Sequence, residues 1–183
     1  MASRAVIWKR KDVDGIESTR IRTLEGGERQ VQGTAVFAFE GVACRLDYDL
    51  HCSREWVTRT ALVTGWIGDR IIHVDIERSP QGDWSMDGAM VPQVASCSDI
   101  DLNFSPSTNL LPIRRLELEI GASAKVRAAW LQFPQLVLLP LEQTYTRTGL
   151  SSFHYEAGTF KADLTVDDDG LVMDYADWVR VEL

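Results

Sequence analysis

The segment "VACRLDYDLHC", Val42 to Cys52, alternates side-chain character almost without a break. Val42, Cys44, Leu46, Tyr48 and Leu50 project to one side, and Arg45, Asp47, Asp49 and His51 to the other. A period of two belongs to a strand with one buried and one solvated face. The period returns in "RIIHVDIER", with Ile72, Val74 and Ile76 against His73, Asp75 and Glu77. It returns in "RRLELEI", with Leu116, Leu118 and Ile120 against Arg115, Glu117 and Glu119. "GTFKADLTV" sets Phe160, Ala162, Leu164 and Val166 against Lys161, Asp163 and Thr165. "SREWVTRTALVTGW" could be read as a helix capped by Ser53, but its β-branched Val57, Thr58, Thr60, Val63 and Thr64 favour a strand.

Turn signals punctuate these runs at Gly26-Gly27, Gly68-Asp69, Pro80 to Asp83, Gly121 to Ser123 and Asp167 to Gly170. Short strands with close turns and one-sided alternation predict an antiparallel meander. A sheet of so many strands must curl, close or fold over. The expected fold is a mostly β, single-domain protein over residues 1–183, built on a strongly curved, half-barrel-like antiparallel sheet. The length of 183 residues suits one domain.

Charge and composition narrow the partners. The formal net charge is −8 and no basic stripe is present, which speaks against a nucleic-acid partner. The most apolar run, "LQFPQLVLLPL", is short and interrupted by Pro134 and Pro140, so no stable membrane insertion is expected. The N-terminal "MASRAVIWKRKDVDG" lacks the apolar run of a signal peptide, and the expected compartment is the cytoplasm. Cys44, Cys52 and Cys97 are odd in number and widely spaced, which gives no disulfide framework and no zinc spacing. Cys44 reads as a small core hydrophobe. No metal and no cofactor are expected.

Catalytic patterns are sparse. His51 and His73 fall on the polar sides of their strands, and there is no Gly-x-Ser-x-Gly elbow or phosphate-cradling glycine loop. Asp99 and Asp101 share a strand face, which is read as a solvated face rather than an acid–base pair. Asp167-Asp168-Asp169-Gly170 reads as a hairpin turn rather than a calcium loop. No catalytic residue is assigned.

One segment breaks the alternation: "DLNFSPSTNLLPIRRLEL", Asp101 to Leu118. Ile100, Leu102 and Phe104 alternate up to Pro106, and Ser105 or Ser107 can cap one helical turn that Pro112 ends. This predicts one short helical segment near Pro106–Pro112, covering part of the concave face and dropping Leu110 and Leu111 into the core. Arg114 and Arg115 then point to opposite faces of the next strand. An inward Arg114 needs a carboxylate such as Asp99, Asp101 or Glu142, or else a bound anion.

The run "CSDIDLNFSPSTNLLPIRRLEL", with "GDWSMDG" before it and "LEQTYTRTG" and "FHYEAGTFKADLTVDDDGLVMDYADWVRV" after it, resembles the signature of the bacterial Putative glycolipid-binding family. The resemblance spans nearly the whole chain. It implies a curved antiparallel sheet similar to the half-barrel of periplasmic lipoprotein carriers, which shelter acyl chains in their concavity. The expected function is non-catalytic binding of an amphiphilic small molecule, a glycolipid or fatty acyl compound, in that concavity. Trp84, Trp130, Leu110 and Leu111 are expected at its apolar part, and Asn109, Arg114 and Tyr145 at its polar head. The alternatives are a hydrolase acting on a lipid or sugar ester, and a protein-interaction module whose concavity is filled by its own side chains.

Overall fold

The computed structural model describes residues 3–182. The N-terminal half is an antiparallel meander: β1 (Ser3–Arg10), β2 (Gly15–Thr23), β3 (Arg29–Phe39), β4 (Val42–Cys52), β5 (Thr58–Ile67), β6 (Arg70–Arg78) and the short β7 (Trp84–Met86) and β8 (Ala89–Met90). After β9 (Asp99–Leu102) and a helical excursion, a second meander follows: β10 (Ser123–Gln132), β11 (Val137–Arg147), β12 (Ser152–Ala157), β13 (Phe160–Val166), β14 (Val172–Tyr175) and β15 (Trp178–Val181). All belong to one open sheet of 15 strands, in the order β8 to β1 followed by β15 to β9. The first and last strands therefore meet at its centre, and the middle of the chain forms both edges.

The period of two sets which face is buried. Cys44, Leu46, Tyr48 and Leu50 of β4 are buried, as are Ile72, Val74 and Ile76 of β6. Val42 and Phe160, predicted inward, lie at strand ends and remain exposed. β9 runs parallel to β10, while every other pairing is antiparallel. The curved sheet brings β9 close to the start of β5. Thr58 N–H donates to Ser98 O at 3.2 Å, and Ile100 N–H donates to Thr58 Oγ1 at 3.0 Å.

The chain from Pro106 to Leu116 leaves the sheet and forms a plug inside its curve. A 3-10 turn, Pro106–Asn109, runs directly into the helix α1, Leu110–Leu116. Ser105 caps the turn, its Oγ accepting from Ser107 N–H at 3.1 Å. Every residue from Pro106 to Ile113 is buried. The polar ones have partners, as burial demands. Thr108 Oγ1 accepts from Leu102 N–H at 3.3 Å, and Asn109 Oδ1 accepts from Tyr145 Oη–H at 2.9 Å.

Two expectations at the plug are corrected. Pro112 does not end the helix. It is the third residue of α1, in the first turn, where the missing N–H costs little. "RRLELEI" is not a strand: Arg114, Arg115 and Leu116 complete α1, which stops where Glu117 turns left-handed at φ 45°. Residues 117–121 form no strand. The solvated face expected for Asp99 and Asp101 is a third correction. The curve and the plug cover β9 on both sides, leaving Asp99 1% exposed and Asp101 half-buried.

Candidate functional site

The plug divides the space inside the curve, and clefts open at the two ends of the strands. The first is about 340 Å³ and lies where β12 turns into β13 and β14 into β15. Asp101, Asn103, Ser105, Asn109 and Asp177 contribute its polar lining, and its apolar lining includes Trp130, Leu141, Tyr155, Phe160, Tyr175 and Trp178. The aromatic wall is continuous. Tyr175 stacks on Trp178 with centroids 6.0 Å apart, and Tyr155 meets Tyr175 and Phe160 edge-on at 5.8 and 6.0 Å. Arg10 also lies over the Trp178 ring, its Cζ 5.0 Å from the centroid.

Strand parity builds this wall. Inward Phe153 and Tyr155 alternate with outward His154 on β12, and the short β14 and β15 end in the turn that carries Tyr175 and Trp178. Asp101 enters from β9 and accepts from Gln143 Nε2 at 2.6 Å. Burial pushes its pKa up to about 6, against the lowering effect of that hydrogen bond. Asn109 donates one Nδ2 hydrogen to Pro106 O at 3.2 Å. An amide nitrogen carries two hydrogens.

Behind this cleft lies a carboxyl group that the sequence reading did not single out. Glu17 of β2 is 2% exposed. Its Oε1 accepts from Ser105 Oγ and Tyr48 Oη at 2.5 Å each, and from Thr19 Oγ1 at 3.0 Å. Its Oε2 has no partner among the described residues. Burial raises its pKa to about 7, outweighing the three hydroxyl donors. Ser105 connects this cluster to the cleft, since it lines one and bonds the other. The sequence signal is slight: Glu17, Thr19 and Ile21 share parity on β2, and only the apolar Ile21 marks that face as the inner one.

The second cleft, also about 340 Å³, opens at the opposite ends of the strands. It is lined by Arg4, Ile21, Arg29, Trp56, Leu110, Arg114, Asp169 and Leu171, among others. A depression of about 600 Å³, lined in part by Gly170, adjoins it and shares Arg114 with it. Gly170 holds φ +84°, and a Cβ there would come within 3.1 Å of Arg114 Cδ.

The seven residues expected to bind ligand are thus distributed. Asn109 and Trp130 share the aromatic cleft. Leu110 and Arg114 share the opposite one. Leu111 is fully buried, and Tyr145 is buried and bonded to Asn109. Trp84 is buried on β7 with its Nε1–H donating to Cys97 O at 3.1 Å, and it lines neither cleft. The carboxylate partner sought for Arg114 belongs to its neighbour. Arg115 holds Asp99 through two bonds, Nε to Oδ1 at 3.1 Å and Nη2 to Oδ2 at 2.5 Å. Among the described residues, the one close histidine–carboxylate hydrogen bond, His154 Nδ1 to Asp163 Oδ1 at 2.7 Å, lies on the outer face of the sheet.

Comparisons with known proteins agree with this architecture. The family profile described as Putative glycolipid-binding matches residues 5–180. A crystal structure of a DUF1089 family protein from Pseudomonas aeruginosa is similar at 34% identity, over 91% of each chain, with a TM-score of 0.77. No curated protein matches. Among the described residues no helix is long and apolar enough to cross a membrane.

Proposed function

Because the chain belongs to the Putative glycolipid-binding family, we propose that it binds the sugar end of a glycolipid in the aromatic cleft, without chemistry. The observation that carries this reading is the pairing of an aromatic wall with a few polar side chains, Asp101 and Asn109 among them, in a cleft of about 340 Å³. That volume falls at the small end of ligand sites, and a mostly apolar lining with few polar groups is their usual design. A sugar ring has apolar C–H faces and a polar rim. Trp130 and Phe160 offer ring surface to the faces, while Asp101 and the second Asn109 hydrogen meet hydroxyls at the rim. The plug occupies the middle of the concavity. The acyl part of the ligand is therefore assigned to the cleft mouth, where Phe160 is 45% exposed, rather than to a tunnel through the fold. Tyr145 serves this site by holding Asn109, and Leu111 by packing the plug, while Trp84 lies outside it.

Calorimetric titration with hexyl glucoside below its micelle concentration tests the reading. The native protein should saturate, and Trp130→Ala should weaken binding about tenfold, the equivalent of 1.4 kcal/mol. Asp101→Asn should weaken it with little change in thermal midpoint. An affinity unaltered by both substitutions, or no saturable binding, refutes it.

A further inference from the structure

The cleft at the opposite end of the strands has a different chemistry. Its charged lining is Arg4, Arg29, Arg114 and Asp169. Arg4 is already neutralised, by Asp169 and by Asp167 at 2.8 Å, and Asp167 is also held by Arg180 at 2.6 Å. Among the described residues, neither Arg29 nor Arg114 has a carboxylate within 4.0 Å. The Nε atoms of both are buried without a hydrogen-bond partner. Arg29 uses one terminal nitrogen on Thr23 Oγ1 and lies on Trp56, with Cζ 5.3 Å from the ring.

A guanidinium cannot escape such a setting by losing its proton, so its charge must meet an anion or water. Arg115, one residue along α1, shows how a structural arginine is satisfied in this fold: it is forked onto Asp99. Arg114 has no such fork. We propose that this cleft is a second binding site, for a phosphate-type anion attached to a short apolar group. Arg29 and Arg114 grip the oxygens in the paired geometry that guanidinium groups favour. Ile21, Leu110 and Leu171 then face the apolar part. This site shares no lining residue with the aromatic cleft and stands independently of the sugar reading.

Calorimetry on the full chain with inorganic phosphate, hexyl phosphate and hexyl glucoside tests it, alongside thermal midpoints. The native protein should bind hexyl phosphate, and Arg114→Gln and Arg29→Gln should each weaken that binding about tenfold or more, as expected for a lost charge-assisted bond. Arg114→Lys should recover only part of it, because a point charge lacks the fork. Hexyl phosphate binding more tightly than inorganic phosphate assigns the site to a lipid-like or alkyl phosphate. Equal affinities assign it to the free anion. Hexyl glucoside affinity should be unchanged in the arginine variants, so failure of this proposal is separable from failure of the sugar reading. Should Arg114→Gln fail to fold, Arg29→Gln carries the test alone. Absence of binding by either phosphate, or binding indifferent to the folded arginine variants, overturns the proposal.

Discussion

Replacing Glu17 with glutamine should stabilise the protein above neutral pH. The carboxyl is 2% exposed, and its pKa is raised from 4.5 to about 7 by burial. In the unfolded chain it ionises near its ordinary value. Below pH 4.5 both states carry the proton and the group is neutral to stability. Between pH 4.5 and 7 the unfolded chain releases the proton while the folded protein keeps it, so stability falls as pH rises. Above pH 7 the loss is complete. At 1.36 kcal/mol per pH unit, the gap amounts to about 3 kcal/mol. Glutamine keeps an acceptor for Ser105, Tyr48 and Thr19 and never ionises. Urea unfolding followed by tryptophan fluorescence at pH 5, 6, 7 and 8 should show native stability falling across this range. Glu17→Gln should flatten this component and be the more stable protein at pH 8 by up to about 3 kcal/mol. An identical pH slope in the two proteins, or a variant less stable at pH 8, refutes the account of a buried carboxyl lacking compensation.

Other substitutions probe the plug and its surroundings. Leu111→Ala removes a fully buried side chain of α1 and should cost about 2–5 kcal/mol in equilibrium unfolding; a cost below about 0.5 kcal/mol would place it at the surface. Asp99→Asn leaves Arg115 facing a neutral amide and should cost about 3 kcal/mol, with Arg115→Met in the same chain recovering most of it in a double-mutant cycle. Gly33→Ala puts a Cβ onto the Tyr48 hydroxyl and the ring carbon that bears it, and within 2.8 Å of Thr19 Oγ1. It should cost about 1–3 kcal/mol by thermal unfolding, and Tyr48→Phe should relieve only part of it, since the ring carbon stays in the way.

The sheet was legible in the sequence because a half-buried strand writes its environment into every second residue. β4 and β6 follow their alternation closely, and the curl follows from the number of strands. The plug was legible in part: its helical turn near Pro106–Pro112 and the burial of Leu110 and Leu111 were expected and are found. Its continuation through Arg114–Leu116 was not, because a segment covered on all sides has no wet face to give it a helical period. "RRLELEI" alternates by coincidence: Leu116 and Leu118 pack against the core from the end of a helix and the loop that follows it. Asp99 and Asp101 were read outward because their strand looked like the others, and the excursion that covers it lies later in the chain. Division of the site into two clefts also escaped sequence reading. Asn109, Leu110 and Arg114 are close along the chain, but a helical turn sends them to different ends of the fold.

The seam at the centre of the sheet has a consequence for biosynthesis. Among the described residues, β1 and β15 are joined by four register pairs, Ile7↔Val181 to Arg10↔Trp178. Once synthesised, β1 can zip to β2 at once, yet its other flank stays open until β15 follows. Until then the nascent chain carries two hairpin arrays, each with a raw edge able to recruit a neighbouring copy. Closing that seam joins strands from the two ends of the chain, and contacts so distant in sequence make folding slow. Loss of residues 178–181 would leave two meanders without their shared middle, and would remove Trp178 from the aromatic cleft as well.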